Sequence, residues 1–465
     1  MKPAMTPEQA WAAYRPSPDN PWDTRKVLHL YRRAAFGATY AEQQHALQIG
    51  PHKAIDELIS GRPGWDAFDR EAAGLAETIA SQSDALQMRA WWFHCMLYSP
   101  HPLREKMTLF WHNHFATSQA KVQSVRYMLG QNQLLRRHAL GSFRTLLHAI
   151  SEDPAMMVWL DTHLSTRRQP NENYARELME LFSLGIGNYT EQDIREAARA
   201  FTGWQIRHHR YYFNASEHDD GPKTVLGRSG RFNGHDIVDL CLDHPAAARF
   251  LARKLFRFFV SEEMTPDREL LEPLAQKLRS SNFDVRSAVE TILRSQLFFA
   301  PIAYRSRVKS PVDFAVGIVH ALEGRIGPTA LAQATENLGQ KIFYPPSVKG
   351  WDGGRAWINA STLIERHKLA LAITSTEDSS FGDHCDPAAL ARKYQKNTDE
   401  QALTFFLELF LANDLHEQGR QALYDYLAQT RRGSFPPYWT DQDIQDHRVR
   451  TLCYLVLIQP EFQLD

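Results

Sequence analysis

The strongest constraint on the fold is a helical spacing of apolar residues that recurs along most of the chain. Apolar side chains three and four residues apart lie on one face of an α-helix. Eight segments have this spacing, namely residues 84–97, 103–115, 122–138, 173–184, 191–202, 246–260, 285–297 and 401–411. The pattern predicts a mainly α protein with a large multi-helical body.

Local signals predict where helices begin and where the helical pattern is interrupted. Thr190 and Asp193 have capping-box spacing, and Pro311 stands where a helix would begin. Residues 204–234 contain four glycines and two short β-prone runs, which predict a small β-hairpin or ordered-loop insert. We expect residues 1–26 to form an N-terminal extension, 27–375 the main helical domain with the insert, and 376–465 a C-terminal helical part packed on it.

Composition and charge weigh against several classes of protein. The 465 residues include 53 Lys+Arg and 54 Asp+Glu, and this balance is not that of a nucleic-acid-binding protein. No apolar run is long enough for a membrane span, and the N-terminus lacks the apolar core of a secretory signal. As written, the chain is expected to be cytoplasmic, or periplasmic or secreted if a leader is missing. Four widely separated cysteines predict buried free thiols.

The stretch "WHNHF" contains the letters HNH, which name a class of nucleases. Those nucleases carry the named residues apart from one another on a ββα unit, whereas this tripeptide lies in a predicted helix. Residues two apart on a helix lie about 200° apart around its axis, so His112 and His114 cannot share a metal there. His112 shares a face with Glu105 and Thr108 and is a candidate catalytic residue. The alternative is that both histidines pack in the core.

The stretch "NENYARELMELFSLG" is predicted to be an amphipathic helix with a polar face. Asn173, Arg176 and Glu177 fall on that face, where a carboxylate beside an amide and a guanidinium can act as a general acid or base. Glu177 is the catalytic candidate, and the other two are candidates for substrate binding. Alternatively, Glu172, Arg176 and Glu180 pair along a solvated helix face.

The insert carries a cluster of polar side chains that a turn could present to a cleft. His218, Asp219 and Lys223 lie in it, with His235 and Asp236 just beyond. Asp219 is a second candidate catalytic carboxylate. The four His and Asp residues also offer ligands for a divalent metal, although their spacing matches no standard zinc site. No cofactor is predicted, and the metal is kept as an alternative; Asp236 could equally cap a helix.

Two further segments suggest ligand binding. Arg305, Arg307 and Lys309 alternate before a predicted helix, which in an extended chain places them on one side as an anion site. Alternatively, they form an exposed basic strand. The second segment, "FYPPSVKGWDGGRAWIN", is rich in glycine and tryptophan and suits a flat or sugar ligand, although tryptophans also anchor loops. Its candidate residues are Lys349, Trp351, Asp352, Trp357 and Asn359.

Several long stretches together resemble a bacterial family, domain of unknown function 1800. The resemblance covers nearly the whole chain and rests on "LYRRAAFGAT", "REKMTLFWHNHFATS", "NENYARELMELFSLGIGNYTEQDIREAARAFTGW", "HDDGPKTVLG", "HPAAARFLARKLFRFFV", "VKSP" and "YPPSVKGWDGGRAWINASTLIERH". It implies a mostly helical fold and no established reaction. It also implies that members are often secreted and encoded beside a protein resembling the alkaline-phosphatase and sulfatase superfamily; this chain departs by lacking a visible leader.

These features favour a helical enzyme acting on a polar substrate, either a carbohydrate or an anionic glycan, as a hydrolase or lyase. Glu177 would be the acid or base, Asp219 or Asp352 the second carboxylate, and His112 and Asn173 hydrogen-bonding groups. Trp204, Trp351 and Trp357 would stack on sugars, and the basic segment 305–309 would neutralise acid groups. The alternatives are a metal-dependent enzyme, and a non-catalytic partner of a phosphatase-like or sulfatase-like protein.

Overall fold

The computed structural model describes residues 5–376, 381, 385–429 and 435–465, and it confirms the mainly helical prediction. The helices are Pro7–Trp11 (α1), Thr24–Ala34 (α2), Tyr40–Ser60 (α3), Trp65–Gln82 (α4), Ala85–Tyr98 (α5), Pro102–His114 (α6), Gln119–Val122 (α7), Val125–Arg137 (α8), Phe143–Ser151 (α9), Pro154–Trp159 (α10), Asn173–Glu177 (α11), Glu191–Ala200 (α12), Gly234–Asp243 (α13), Pro245–Phe259 (α14), Arg268–Ser280 (α15), Val285–Arg294 (α16), Pro311–Ala321 (α17), Pro328–Asn337 (α18), Ala360–Thr374 (α19), Pro387–Lys393 (α20), Asp399–Leu411 (α21), Glu417–Gln429 (α22) and Asp441–Leu457 (α23). A π-helical stretch, Leu178–Ser183, follows α11 directly, and short 3₁₀ turns occupy Thr162–Leu164, Ala215–Glu217, Gly354–Trp357 and Pro460–Gln463.

The predicted start signals act as expected. The Thr190 hydroxyl accepts the Asp193 N–H, and the Asp193 carboxylate accepts the Thr190 N–H, so the capping box before α12 is confirmed. Pro311 is the first residue of α17, where its missing N–H leaves no donor unpaired. These local contacts fix the ends of helices whose apolar faces are then buried in the core.

The insert consists of two short antiparallel hairpins, which confirms the predicted β-structure. The first pairs strands Trp204–Arg207 (β1) and Arg210–Phe213 (β2). The second pairs Lys223–Val225 (β3) with Arg228–Gly230 (β4). The insert is tied to the helical body at its base, where the Gly203 N–H donates to the Ser165 carbonyl at 3.0 Å.

Two hydrophobic clusters form the interior, and α6 lies between them. Trp111 of this helix belongs to the first cluster, which is built mainly from α2, α9 and α13–α16. Leu109 belongs to the second, which joins α5 to α17–α21 and α23. The end of α6, where the HNH tripeptide lies, therefore meets segments from both halves of the chain.

The terminal regions and the cysteines are also packed. The Trp11 indole donates to the Leu270 carbonyl at 2.6 Å, and the Tyr14 ring lies 4.7 Å from that of Phe299, so part of the N-terminal extension is ordered against the body. All four cysteines are free and buried, as predicted. No helix among the described residues is both long and apolar enough to cross a membrane.

Candidate functional site

The end of α6 fastens the chain segment around residues 343–351. The His112 ring accepts a hydrogen bond through Nε2 from the Phe343 N–H at 3.0 Å. Asn113 binds the Trp351 main chain twice: its amide oxygen accepts the N–H at 2.7 Å, and its amide nitrogen donates to the carbonyl at 3.3 Å. Side chains of consecutive helical residues thus hold two points of the same loop.

Neither histidine of the tripeptide is available for catalysis. His112 is 2% exposed and lies edge-on to Trp92, with ring centroids 5.0 Å apart. Burial lowers the pKa of His112 to about 3, so the ring is neutral. His114 is buried as well, and its Nε2 donates to the Phe182 carbonyl at 3.1 Å. The predicted catalytic role of His112 is corrected to a structural one, because its ring is enclosed and already bound.

The loop that α6 fastens presents two charged side chains to solvent. Gly350 has φ of +79°, and a Cβ there would lie 2.1 Å from the Asn113 Oδ1, so glycine permits this close approach. Arg257 of α14 donates to the Asp352 carbonyl at 3.2 Å. Lys349 and Asp352 remain exposed on either side of these anchors. Their positions are therefore set by main-chain contacts, and within the described part of the chain no ion pair or hydrogen bond engages their charged groups.

Glu177 lies at the end of α11, immediately before the π-helical stretch Leu178–Ser183, and π-helical turns are frequent at functional sites. Its side chain is partly buried. Burial raises the pKa of its carboxyl, and the nearby charge of Glu180 raises it further. Arg176 and Lys349 oppose this rise, which places the lysine of the loop within electrostatic range of Glu177. Glu177 and the loop residues Lys349 and Asp352 are called the loop face below.

The other two polar residues of α11 differ in their availability. Arg176 pairs with Glu172 at 3.2 Å, as in the alternative interpretation, but its second partner is Glu191 at 2.9 Å, whereas Glu180 accepts from the Tyr189 hydroxyl. Arg176 is not free to bind substrate through its bound nitrogens. Asn173 is exposed, and its amide donates a long hydrogen bond to the Asp161 carboxylate at 3.4 Å. Asn173 therefore keeps hydrogen-bonding capacity for a ligand.

The polar cluster of the insert stabilises a turn. Asp219 accepts two hydrogen bonds from the Arg199 guanidinium at 2.7 and 3.2 Å, and these lower the pKa of its carboxyl. Lys223 is buried and donates to two main-chain carbonyls of the same turn. His218 donates through Nδ1 to the Thr202 carbonyl at 2.9 Å. The predicted catalytic role of Asp219 and the predicted binding roles of His218 and Lys223 are corrected, because their polar groups are bound within the turn.

The alternative metal site is not assembled either. Asp236 caps α13, where its carboxylate accepts the Asn233 N–H at 2.8 Å. The His235 ring lies 3.3 Å from the Glu152 carboxylate, and that hydrogen bond raises the pKa of the histidine. In residues 5–376 and the later described segments, no group of three or more His, Cys, Asp or Glu side chains has the arrangement of a metal site.

The basic segment is largely internal. Arg307 is 6% exposed and donates to a main-chain carbonyl near the end of α14 at 2.6 Å. Lys309 is 4% exposed and donates to the Leu464 carbonyl at 2.8 Å. Arg305 donates to the Asp414 carbonyl at 2.6 Å. The predicted anion site is corrected to a set of bonds that tie this segment to α14, to the Asp414 region and to the C-terminus, because Arg307 and Lys309 point inward.

The candidate tryptophans and Asn359 are engaged in contacts that stabilise the fold. Trp204 is 1% exposed and packs between the rings of Phe201 and Tyr211, so it cannot stack on a sugar. Trp351 and Trp357 are each 8% exposed and anchor the loop. Asn359 caps α19 by accepting a main-chain N–H at 3.0 Å. The predicted binding roles of these residues are corrected, because burial leaves the tryptophan ring faces inaccessible to a ligand and helix capping occupies the Asn359 amide oxygen.

Four polar residues near these segments were missed by the sequence analysis. Besides Asn113, they are Lys121 and Asp161, which pair at 2.8 Å beside Asn173, and Lys254. Burial and the neighbouring Arg257 lower the pKa of Lys254, which lies 5.3 Å from the Phe250 ring. Asn113 lies within the HNH tripeptide, which is the local signal that could have identified it. The remaining residues gave no local signal, because their partners are far away in sequence.

Comparison with known proteins gives one match. Residues 29–464 match the family described as Protein of unknown function (DUF1800). The chain belongs to this family. The match confirms the resemblance inferred from the sequence motifs and covers all three segments that meet around α6, the loop and α11. No curated protein and no solved structure matches the chain.

Proposed function

We propose that this family member is an acid/base enzyme with Glu177 as its catalytic carboxyl. The observation that carries the proposal is the state of Glu177: it is partly buried, its pKa is raised, and Lys349 of a fixed loop lies within electrostatic range. Among the described residues, no hydrogen bond occupies its carboxylate. A carboxyl with a raised pKa retains a proton closer to neutral pH and can donate it in a reaction.

The substrate class we propose is a polar molecule with acid groups, such as an anionic glycan. Lys349 is exposed and would attract the acid group, while the free amide capacity of Asn173 would bind hydroxyls. In a hydrolase, Asp352 would be the second carboxylate, because it is exposed on the same loop as Lys349. In a lyase, Glu177 would take the proton from the carbon next to the acid group and return it to the departing glycosidic oxygen as the new carbon–carbon double bond forms. The products separate these cases, since only a lyase leaves a new carbon–carbon double bond that absorbs ultraviolet light.

The test is a panel of acidic and neutral polysaccharides assayed with wild-type protein, Glu177→Gln and Glu172→Gln. The glutamine at 177 keeps the shape but cannot exchange a proton, so we expect its kcat to fall about 100-fold or more. Glu172→Gln is the matched control, because Glu172 immediately precedes the same helix and its carboxylate pairs with Arg176. Full activity in folded Glu177→Gln would refute the role of Glu177, and no turnover of any acidic polysaccharide by wild type would refute the substrate class.

A second candidate function is that of a non-catalytic partner, and one surface favours it. Ile364 and Leu371 of α19 are 55% and 51% exposed. Seven residues apart on a helix, they lie on one face, and exposed apolar patches often bind proteins. The resemblance implies a phosphatase-like or sulfatase-like partner. Co-purification that is lost in Ile364→Glu/Leu371→Glu but kept in Leu75→Glu, a change at an exposed leucine of α4, would support this function.

A further inference from the structure

A groove of about 420 Å³ is lined by residues of α2, α3, α5, α6 and α17 and of the loops beside them. None of its lining residues belongs to the loop face. Its size is within the range of small-molecule sites. One wall is apolar and includes Phe36, Met96 and Leu97 together with several prolines. The lining also carries polar groups, among them Tyr31, Glu42, Arg62, His320, Glu323 and Arg325.

The acidic groups of this groove are already neutralised. The Glu42 carboxylate accepts from the His320 Nε2 at 2.8 Å, from Arg62 at 2.7 Å and from the Thr39 N–H at 2.8 Å. Burial by itself would raise the pKa of Glu42, but the His320 hydrogen bond and the His320 and Arg62 charges outweigh it and hold the pKa at about 2. The other acid, Glu323, is bound by a lysine and a tyrosine. Neither carboxylate would therefore repel an anionic ligand strongly.

The basic and hydroxyl groups keep capacity for a ligand. Arg325 is exposed, and no carboxylate lies within ion-pair distance of it in the described part of the chain. The Tyr31 side chain is only 6% exposed and lines the groove, and no described residue hydrogen-bonds its hydroxyl. A guanidinium and a phenolic O–H beside an apolar wall match a carboxylate on an apolar body, since both can donate to carboxylate oxygens.

We propose that this groove is a binding site for a small organic acid, whose carboxylate binds Arg325 and Tyr31 and whose hydrocarbon or aromatic body packs against Phe36, Met96 and Leu97. The apolar wall explains why an inorganic anion is a poorer match. This site is independent of the proposed reaction at Glu177.

The test is isothermal titration calorimetry of the full chain with 3-phenylpropionate, octanoate and indole-3-acetate, and with the uncharged amide of each. We expect at least one acid to bind and its amide to bind about tenfold more weakly or worse, because the charge-assisted hydrogen bonds are lost. Arg325→Met should weaken binding of the acid by a similar factor and leave binding of the amide unchanged. Tyr31→Phe removes only the hydroxyl and should also weaken binding of the acid.

The matched control is Arg253→Met, which removes an exposed arginine that lines a different groove. Binding should be unchanged in this variant. The proposal is overturned if none of the acids binds, if acid and amide bind equally, or if Arg325→Met and Arg253→Met behave alike. Binding of a short peptide with a free carboxyl end, without binding of the free acids, would also overturn it.

Discussion

Replacing Gly350 by alanine should detach the loop that carries Lys349. The left-handed φ of +79° costs an L-residue about 1 kcal/mol. The new Cβ would lie 2.1 Å from the Asn113 Oδ1 and 2.5 Å from the Asn113 main-chain oxygen, so the loop must move off α6. Losing the two Asn113–Trp351 hydrogen bonds adds about 1 kcal/mol each. The expected total is about 3 kcal/mol of unfolding free energy.

Gly339→Ala provides the matched control for this substitution. Gly339 has a similar φ of +95°, but a Cβ there would meet nothing within 4 Å. Gly339→Ala should therefore lose only the conformational cost of the left-handed φ, about 1 kcal/mol of unfolding free energy. Urea unfolding followed by circular dichroism measures both losses, and hydrogen exchange of the Trp351 amide reports the local detachment. The clamp by Asn113 is refuted if Gly350→Ala is no less stable than Gly339→Ala and the Trp351 amide is equally protected from hydrogen exchange in the two variants.

Three other perturbations test different parts of the molecule. Burial raises the pKa of Asp153 to about 7 despite its bond from Gln131, so the native state keeps a proton that the unfolded chain loses near pH 4. The contribution of Asp153 to stability should therefore fall as pH rises from about 4 to 7, by at most about 4 kcal/mol, and urea titrations measure it as the pH-dependent difference in unfolding free energy between wild type and Asp153→Asn. Lys349→Ala should raise the pKa of Glu177 and shift upward the limb of the kcat/KM pH profile that Glu177 controls, which is the alkaline limb if it acts as the acid and the acid limb if it acts as the base; an unshifted limb would place the lysine elsewhere. Burial raises the pKa of all four cysteine thiols, so iodoacetamide should label them only in denaturant, and rapid labelling of native protein would contradict their burial.

The helical architecture could be predicted because most helices carry an apolar face and a local start signal, although α4 and α11 have no side-chain cap. The predicted helix 84–97 corresponds to Ala85–Tyr98, with Asp84 as its cap. The π-helical stretch Leu178–Ser183 could not be predicted. It lies within a single predicted helix, and six residues are too few for apolar spacing to separate a π-turn from an α-turn. The hairpin insert was predictable because glycines and β-prone runs are both local signals.

The candidate site was only partly predictable. Sequence spacing identified Glu177 and Lys349 as candidates, and the structure brings them within electrostatic range. The alternation of Arg307 and Lys309 correctly predicts that the two side chains point to the same side of the chain. It does not show whether that side faces solvent or the interior. Buried cations satisfied by main-chain carbonyls have the same residue pattern as a surface anion site. Long-range pairs such as Arg257 with the Asp352 carbonyl also leave no mark in local sequence.

The HNH tripeptide explains how a helix with no catalytic residue can still control a site. Successive helical residues point about 100° apart, so three consecutive side chains at a helix end can reach three directions. Here His112 and Asn113 reach two points of the loop, and His114 reaches the π-helical stretch that follows Glu177. One rigid helix therefore sets the position of Lys349 and of Glu177 together. Because neither charged group touches the tripeptide, a change in the tripeptide should alter their relative position without altering either group's chemistry.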